Sequence, residues 1–395
     1  MSATARSEDD AAAGELAGRL REAGFVRLVG AATGDGLAAS GVLARALTDL
    51  DRPFQISLAT LPADAERATD ADLTVAVGRA DPTADCSLSA AARPASETAF
   101  EVARELGTEP DLALALAGVT ADGRALDGSA AEAAADADIE RRPGVAVPTS
   151  DLVDGLAHST LVHAPFSGDA DATAAALADL GFDPSDDGLD ASALDDDERR
   201  RVASLVALRA AGDDDVPPRG GRAVERALRP FAGGPFGTIG GYADVLDALA
   251  RDEPGTGVAL ALGHDVQAVA LDAWRSHARR AHDAVADATT GRYDGLFVAR
   301  AETEEAPVGT MARLVHDYRS PEPVTLAVAD GAAAVASDER DLESVLATAA
   351  EGVDGTAAAD ATGTTGRARF DVETGAFITA FRRPYETSDD HDDPR

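Results

Sequence analysis

Lysine and asparagine are missing from this chain altogether, so all 35 of its basic residues are arginine. Cysteine occurs once, as Cys86, which excludes an intrachain disulfide and a cysteine-based zinc framework. Aromatic residues make up only 4% of the chain. No run of about 18 apolar residues occurs, which excludes a spanning helix read from hydropathy. The first residues, Met1 to Glu15, are polar and acidic and lack the basic-then-apolar order of a secretory signal. These absences lead to the expectation of a cytoplasmic protein with no membrane partner.

What is abundant is acid and small apolar residues. Against 35 arginines stand 71 Asp and Glu, for a formal charge of -36, and 45% of the 395 residues are hydrophobic. That length and apolar content suit two domains, each with a buried core. An acidic, lysine-free, Ala- and Asp-rich chain reads as an adaptation to high internal salt, where solvated carboxylates keep the protein dispersed. At ~1 M salt the Debye length is about 3 Å, so this charge does not exclude a nucleic-acid partner.

Along the chain, short apolar runs alternate with helical patterns, as in a parallel sheet covered on both faces. Strands are expected at Phe25 to Val29, Phe54 to Ala59 and Asp72 to Val77, and helices at Glu15 to Glu22, Leu37 to Leu50, Ala95 to Leu106 and Leu112 to Val119. From 167 to 222 the chain is crowded with Asp, Pro and Gly, as in Asp183 to Gly188 and Asp213 to Pro218, with short helices at Ala170 to Leu180 and Asp196 to Ala211. These acid runs read as solvated loops. Further on, a helix from Tyr242 to Ala250 precedes strands at Leu296 to Ala301, Val324 to Ala329 and Ala332 to Ala336. Helices are expected near Gly309 to His316 and Arg340 to Ala350, and Arg367 to Val372 is a candidate to close the second sheet.

The segment Phe25 to Ser40 is a strand running through a turn into a small-residue helix. In extended backbone, residues two apart share a side, so Ala31, Thr33 and Asp35 would project together from the strand end. A strand, a turn with Gly34 and Gly36 and a helix also suit a dinucleotide crossover, which is the alternative. The spacing resembles the His-x-Asp-x-Asp-Gly motif of the DHH phosphoesterases, the family that includes the RecJ exonucleases. Two of the three ligand positions then hold Ala31 and Thr33. The family's second motif would put an Asp at Ala76, and its Asp-His-His triplet would fall between 80 and 95, where no histidine stands. The helix after it, Pro94 to Gly107, resembles the family's, and Leu116 to Gly123 resembles the fourth motif with Asp122 retained. Gly240 to Arg251 followed by Gly255 to Gly263 is similar to archaeal RecJ-like proteins, and Leu296 to Gly352 to the DHH-associated C-terminal domain. That domain's Gly-Gly-Gly-His turn has no counterpart around Gly355 to Asp360.

The resemblance implies an α/β protein with a parallel-sheet DHH-type N-terminal domain and a smaller mixed α/β DHH-associated C-terminal domain. The expected divisions are an acidic leader and first helix over 1–22, the DHH-type domain over 23–166, an acidic Pro/Gly-rich connection over 167–222, the C-terminal domain over 223–387 and a disordered tail over 388–395. Two-metal phosphoester cleavage needs several hard oxygen ligands and imidazoles around two ions about 3.5 to 4 Å apart. Here only the remnants Asp35 and Asp122 stand at matching positions, with Asp81 and Asp85 as loosely placed substitutes. The expectation is therefore no catalytic residue and no resident metal.

Outside that motif, Arg275, Arg279 and Arg280 concentrate positive charge within Trp274 to His282. They are candidate nucleic-acid contacts, since guanidinium forks suit phosphate. An arginine face paired with nearby Asp is the other reading. His277 and His282 fall about 140° apart on that helix and cannot share a metal. His158 and His163 flank Ser159 to Val162, read as a strand with the two rings on opposite sides and in structural or surface roles.

The function expected from the resemblance is a binding or scaffold subunit of DNA replication or repair, with GINS-like replication proteins and single-stranded DNA or RNA as partners. The alternative is an active manganese- or magnesium-dependent 5′ exonuclease or oligonucleotide phosphoesterase. The charge generates a prediction of its own. Followed by circular dichroism, the helical signal should be full in molar KCl and collapse as KCl is diluted toward about 10 mM, where the Debye length reaches about 30 Å. A spectrum unchanged by dilution would contradict the high-salt reading.

Overall fold

A computed structural model describes residues 3–64, 70–137, 139–183, 189–338, 342–353 and 357–386 of the protein. The expected tail over 388–395, most of the Asp183 to Gly188 run and Gly355 and Thr356 lie outside them. The chain divides into two compact units. The first comprises Met1–Leu156, Leu177–Ala203 and Arg226–Arg275, and the second Ala157–Ala176, Ser204–Glu225 and Ser276–Arg395.

The first unit is built on four parallel strands, β1 (Val26–Ala31), β2 (Phe54–Ala59), β3 (Leu73–Val77) and β4 (Cys86–Leu88), in the order β2-β1-β3-β4. β1 is buried along its whole length, as its Val-rich run requires of a central parallel strand. Four helices belong to this unit's core: α2 (Gly34–Asp49) and α3 (Ala95–Glu105) pack on the sheet, α1 (Ala3–Glu22) packs against α3, and α4 (Leu112–Asp122) against α2 and α3. α2 is buried on nearly every side because most of its residues are Gly, Ala, Ser and Leu. Gly118 of α4 lies so close to α2 and α3 that a Cβ there would stand 2.5 Å from the Ser96 Cβ and 2.7 Å from the Ala38 Cβ. A helix at Ile239–Asp252 completes this layer, burying Ile239, Val245, Leu246 and Leu249 in the same core. Trp274 is fully buried there too, its indole N–H donating to Asp244 at 2.9 Å. Residues 226–275 therefore pack with the first unit, although the boundary read at 223 groups them with the second domain; an apolar helix face joins whichever core buries it.

The second unit holds a mixed six-stranded sheet of β5 (Thr289–Tyr293), β6 (Leu296–Arg300), β7 (Val324–Ala329), β8 (Ala332–Ser337), β9 (Ala357–Thr362) and β10 (Thr365–Phe370). Its order is β5-β6-β7-β8-β10-β9, with β6 and β7 parallel and the other pairs antiparallel. Phe370 stacks on Phe377 with centroids 4.3 Å apart, at the centre of this core. The strand expected to close this sheet, β10, is an interior strand. Beyond it lies β9, joined through a turn at Gly363, whose φ is +61°.

The strand expected between His158 and His163 is absent. His158 instead ends a helix at Leu152–His158, and side-chain hydroxyls serve the amides that follow, Ser159 accepting from Leu161 and Ser167 from Ala164. Among the described residues no helix is long and apolar enough to cross a membrane.

Candidate functional site

At the end of β1 the backbone stays extended only through Thr33, whose φ and ψ are −134° and 158°. Its hydroxyl accepts a hydrogen bond from the Gly36 amide at 3.0 Å, so Thr33 caps α2 and the helix starts at Gly34. Residues 31, 33 and 35 therefore do not alternate as one extended edge: Asp35 sits in the first helical turn. The turn is tight, since a Cβ at Gly36 would lie 2.5 Å from the Ala31 carbonyl oxygen.

Asp35 is buried, and both its oxygens are engaged. Oδ2 accepts from the Ala95 amide at 2.7 Å, and Oδ1 accepts from the Ser96 amide at 2.9 Å and the Ser96 hydroxyl at 2.5 Å. These donors open α3, whose capping position is Pro94 and offers no side-chain cap. A carboxylate from another helix thus satisfies the orphan amides of α3 and complements its dipole. The same device recurs one step on. Glu97 of α3 accepts from the Ala130 amide at 3.0 Å and the Ser129 hydroxyl at 2.7 Å, capping a helix at Ser129–Asp136 that follows Gly128.

Asp122 ends α4 and lies 2.8 Å from Nε of Arg124, a contact outside hydrogen-bond alignment. Burial and the nearby Asp35 charge push its carboxyl up to about 7, against the pull of Arg124, and Asp247 adds to the rise. Burial also raises Asp35 above the usual carboxylate range, opposed by its Ser96 and Ala95 donors and by Arg124. Asp247, from the helix at Ile239–Asp252, was not singled out by the sequence; it accepts from the Gly34 amide at 3.0 Å and pairs with Arg251.

Of the substitute ligands, Asp81 folds back on its own loop, accepting from the Thr83 amide at 2.8 Å and hydroxyl at 2.5 Å. Asp85 precedes β4 and accepts from the Thr74 amide at 2.8 Å, which puts it at the amino edge of the sheet, opposite to Asp35. Ala76 is buried within β3, paired with Val29. Just past β3, the buried Arg79 donates to the carbonyls of Ala59 at 2.7 Å and Thr60 at 3.3 Å, fixing a positive charge at the carboxyl edge. Among the described residues no three His, Cys, Asp or Glu side chains converge as a metal site. With Asp35 held by two backbone amides and the Ser96 hydroxyl, no described His among its partners and a guanidinium at the same sheet edge, the donor set does not fit paired divalent cations.

Arg275, Arg279 and Arg280 all lie on a helix at Gln267–Ala286. Arg275 grips Asp154 through Nε and Nη2, each at 2.9 Å, and Asp272 through Nη1 at 2.8 Å. Arg280 donates to the Glu305 carbonyl at 2.8 Å, and Arg279 is exposed. On the same helix His277 meets the Thr310 hydroxyl at 2.9 Å, while His282 faces His163 with their Nδ1 atoms 3.1 Å apart. Burial lowers these two imidazoles to about 3 and about 4, so both are neutral near pH 7. With Nε2 of His282 held at 3.1 Å from the Ser159 carbonyl as donor, its Nδ1 must accept from Nδ1–H of His163.

Comparison with known proteins places this geometry. The family described as "Uncharacterized protein rrnAC1427, C-terminal domain" matches residues 288–383, which span the sheet of the second unit. The uncharacterized protein rrnAC1427 of Haloarcula marismortui is 59% identical over 385 residues, covering 97% of this chain and 99% of its own. CDC45 from Entamoeba histolytica superposes with a TM-score of 0.60 at 10% identity, over 95% of this chain and 99% of that one. Manganese-bound RecJ from Thermus thermophilus superposes with a TM-score of 0.50 at 16% identity, over 96% of this chain. The chain spans about half of the RecJ chain, 55% of its length. The fold is that of RecJ, as the sequence resemblance implies, and also of CDC45.

The Asp122 carboxyl generates a pH prediction. Its ordinary value is 3.8, so between about pH 4 and about pH 7 the unfolded chain has released a proton that the folded chain still holds. Stability through this group therefore falls as pH rises across that window and levels above it. Asp122→Asn should flatten the fall, so that its denaturation midpoint in molar KCl gains on the parent from pH 4 to 7. Parallel curves for the two proteins would contradict the assignment.

Proposed function

The chain belongs to the family of the Haloarcula marismortui protein rrnAC1427, and we propose that it is a RecJ-fold protein that has given up phosphoester cleavage and serves as a binding or scaffold subunit. The observation that carries this is Asp35: at the motif remnant it closes the N-terminus of α3 with both oxygens. A carboxylate held by three donors has exchanged ligand duty for structural duty. Asp122, the second remnant, is pushed up to about 7 and carries reduced charge near neutrality, which weakens it further as a cation ligand.

On this reading the protein needs no manganese or magnesium. It acts in the cytoplasm of a halophilic cell, within replication or repair, beside GINS-like proteins and single-stranded DNA or RNA. Of the arginines proposed to touch such a strand, Arg279 is the exposed one. Arg275 would have to leave Asp154 and Asp272 to do so, which makes Arg279 and Arg280 the stronger contacts.

The test is direct. Purified protein in molar KCl with manganese and end-labelled single-stranded DNA or RNA should release no nucleotides. Release that disappears in the Asp35→Ala, Asp122→Ala double variant would overturn the proposal and establish the metal-dependent exonuclease reading.

A further inference from the structure

The first unit contains a cavity of about 290 Å³ with no role in the motif region. Three backbone segments enclose it. The stretches around 142–152 and 230–238 are tied by bridges pairing Arg141 with Phe231 and Val145 with Leu228, and by the Thr238 hydroxyl, which donates to the Val147 carbonyl at 2.8 Å. The third segment is fixed by the Ala191 amide, which donates to the Ser150 carbonyl at 2.7 Å, and by the Leu152 amide, which donates to that of Leu189 at 2.8 Å. The walls are thus preformed. The volume is at the small end of the range of ligand pockets, about 300 to 1,000 Å³.

Val145, Val147, Leu194 and Val202 give the cavity an apolar interior, and Arg142 and Arg199 supply its charge. Among its described lining residues there is no Asp or Glu. That is a departure for a chain in which acids outnumber bases 71 to 35. Arg199 makes only long contacts, 3.4 Å to an Asp196 whose side chain is 59% exposed and 3.3 Å to the Ser192 carbonyl. Beside the lining, Arg141 donates to the Arg229 carbonyl at 3.3 Å, with its guanidinium 4.5 Å over the Phe231 ring. Burial, and then the Arg229 charge, lower the Arg141 guanidinium. Arg229 itself holds a φ of +53°, a conformation uncommon for a residue other than glycine.

An apolar, preformed hollow whose charged side chains, among the described lining residues, are both arginines is complementary to one class of ligand. We propose that this cavity binds a small amphipathic anion, a compact phenyl-sized or short alkyl body carrying a carboxylate or phosphate head that meets Arg142 and Arg199. Guanidinium forks match both heads, and the apolar walls reward the body. This site is independent of the motif remnants and of whether the protein cleaves nucleic acid.

Isothermal titration of the full chain in molar KCl tests it with three probes: phenyl phosphate, 3-phenylpropionate and 3-phenylpropan-1-ol. At least one anion should bind saturably at one per chain, about tenfold or more tighter than the alcohol, and the tighter anion identifies the head. The Arg142→Gln, Arg199→Gln double variant should lose that preference. Ala191→Trp, checked for an unchanged circular dichroism spectrum, should lose binding by filling the hollow. Failure of both anions to bind, equal binding of the alcohol, or anion binding unchanged in either variant would overturn the proposal.

Discussion

The carboxylate of Asp35 at the head of α3 is the contact on which the rest of the first unit turns. α3 begins after a proline and carries no cap of its own, so its first amides need an acceptor from elsewhere. α2 supplies it from its first turn, and this fixes the two helices against each other at the carboxyl edge of the sheet. Close packing of α4 at Gly118 follows from that approach, because Ser96, the donor to Asp35, is also the residue that Gly118 must clear. One side chain therefore joins the end of β1, the start of α3 and the seat of α4.

The electrostatics of the remnant site follow from the same contact. Burial first, and then the nearby Asp35 carboxylate, raise the cost of charging Asp122, which holds its proton far above the usual range. Arg251, paired with Asp247, and Arg124, beside Asp122, bring positive charge to the cluster. Arg79 fixes a guanidinium on strand-end carbonyls of the same sheet. In a chain this acidic, the buried carboxylates of this cluster are met by backbone amides, a serine hydroxyl and arginine.

Much of the fold was legible because apolar runs bounded by Gly, Pro and Asp mark strands clearly; β2 and β7 occupy the expected residues. β4 is three residues long and β9 is Ala-Ala-Ala-Asp-Ala-Thr, so neither carries a strand signal of its own. The candidate site was half legible. Asp35 and Asp122 could be named from spacing, but the role of Asp35 is set by a partner sixty positions away in sequence. The alternation drawn through Ala31, Thr33 and Asp35 failed because a threonine before a Gly-rich helix is a cap, and a cap ends extended backbone. Asp247, Arg79 and the arginine-lined cavity are products of tertiary packing, with no local pattern to announce them.

The central claim is that Asp35 stabilises the fold as a cap rather than waiting for a cation, and the stability of Asp35→Ala in metal-free molar KCl tests it most directly. A ligand carboxylate left among like charges would be relieved by its removal, whereas a cap would be missed. The account predicts a loss of about 1 to 3 kcal/mol in chemical denaturation, the cost of stranding buried amides. Unchanged or increased stability would contradict it.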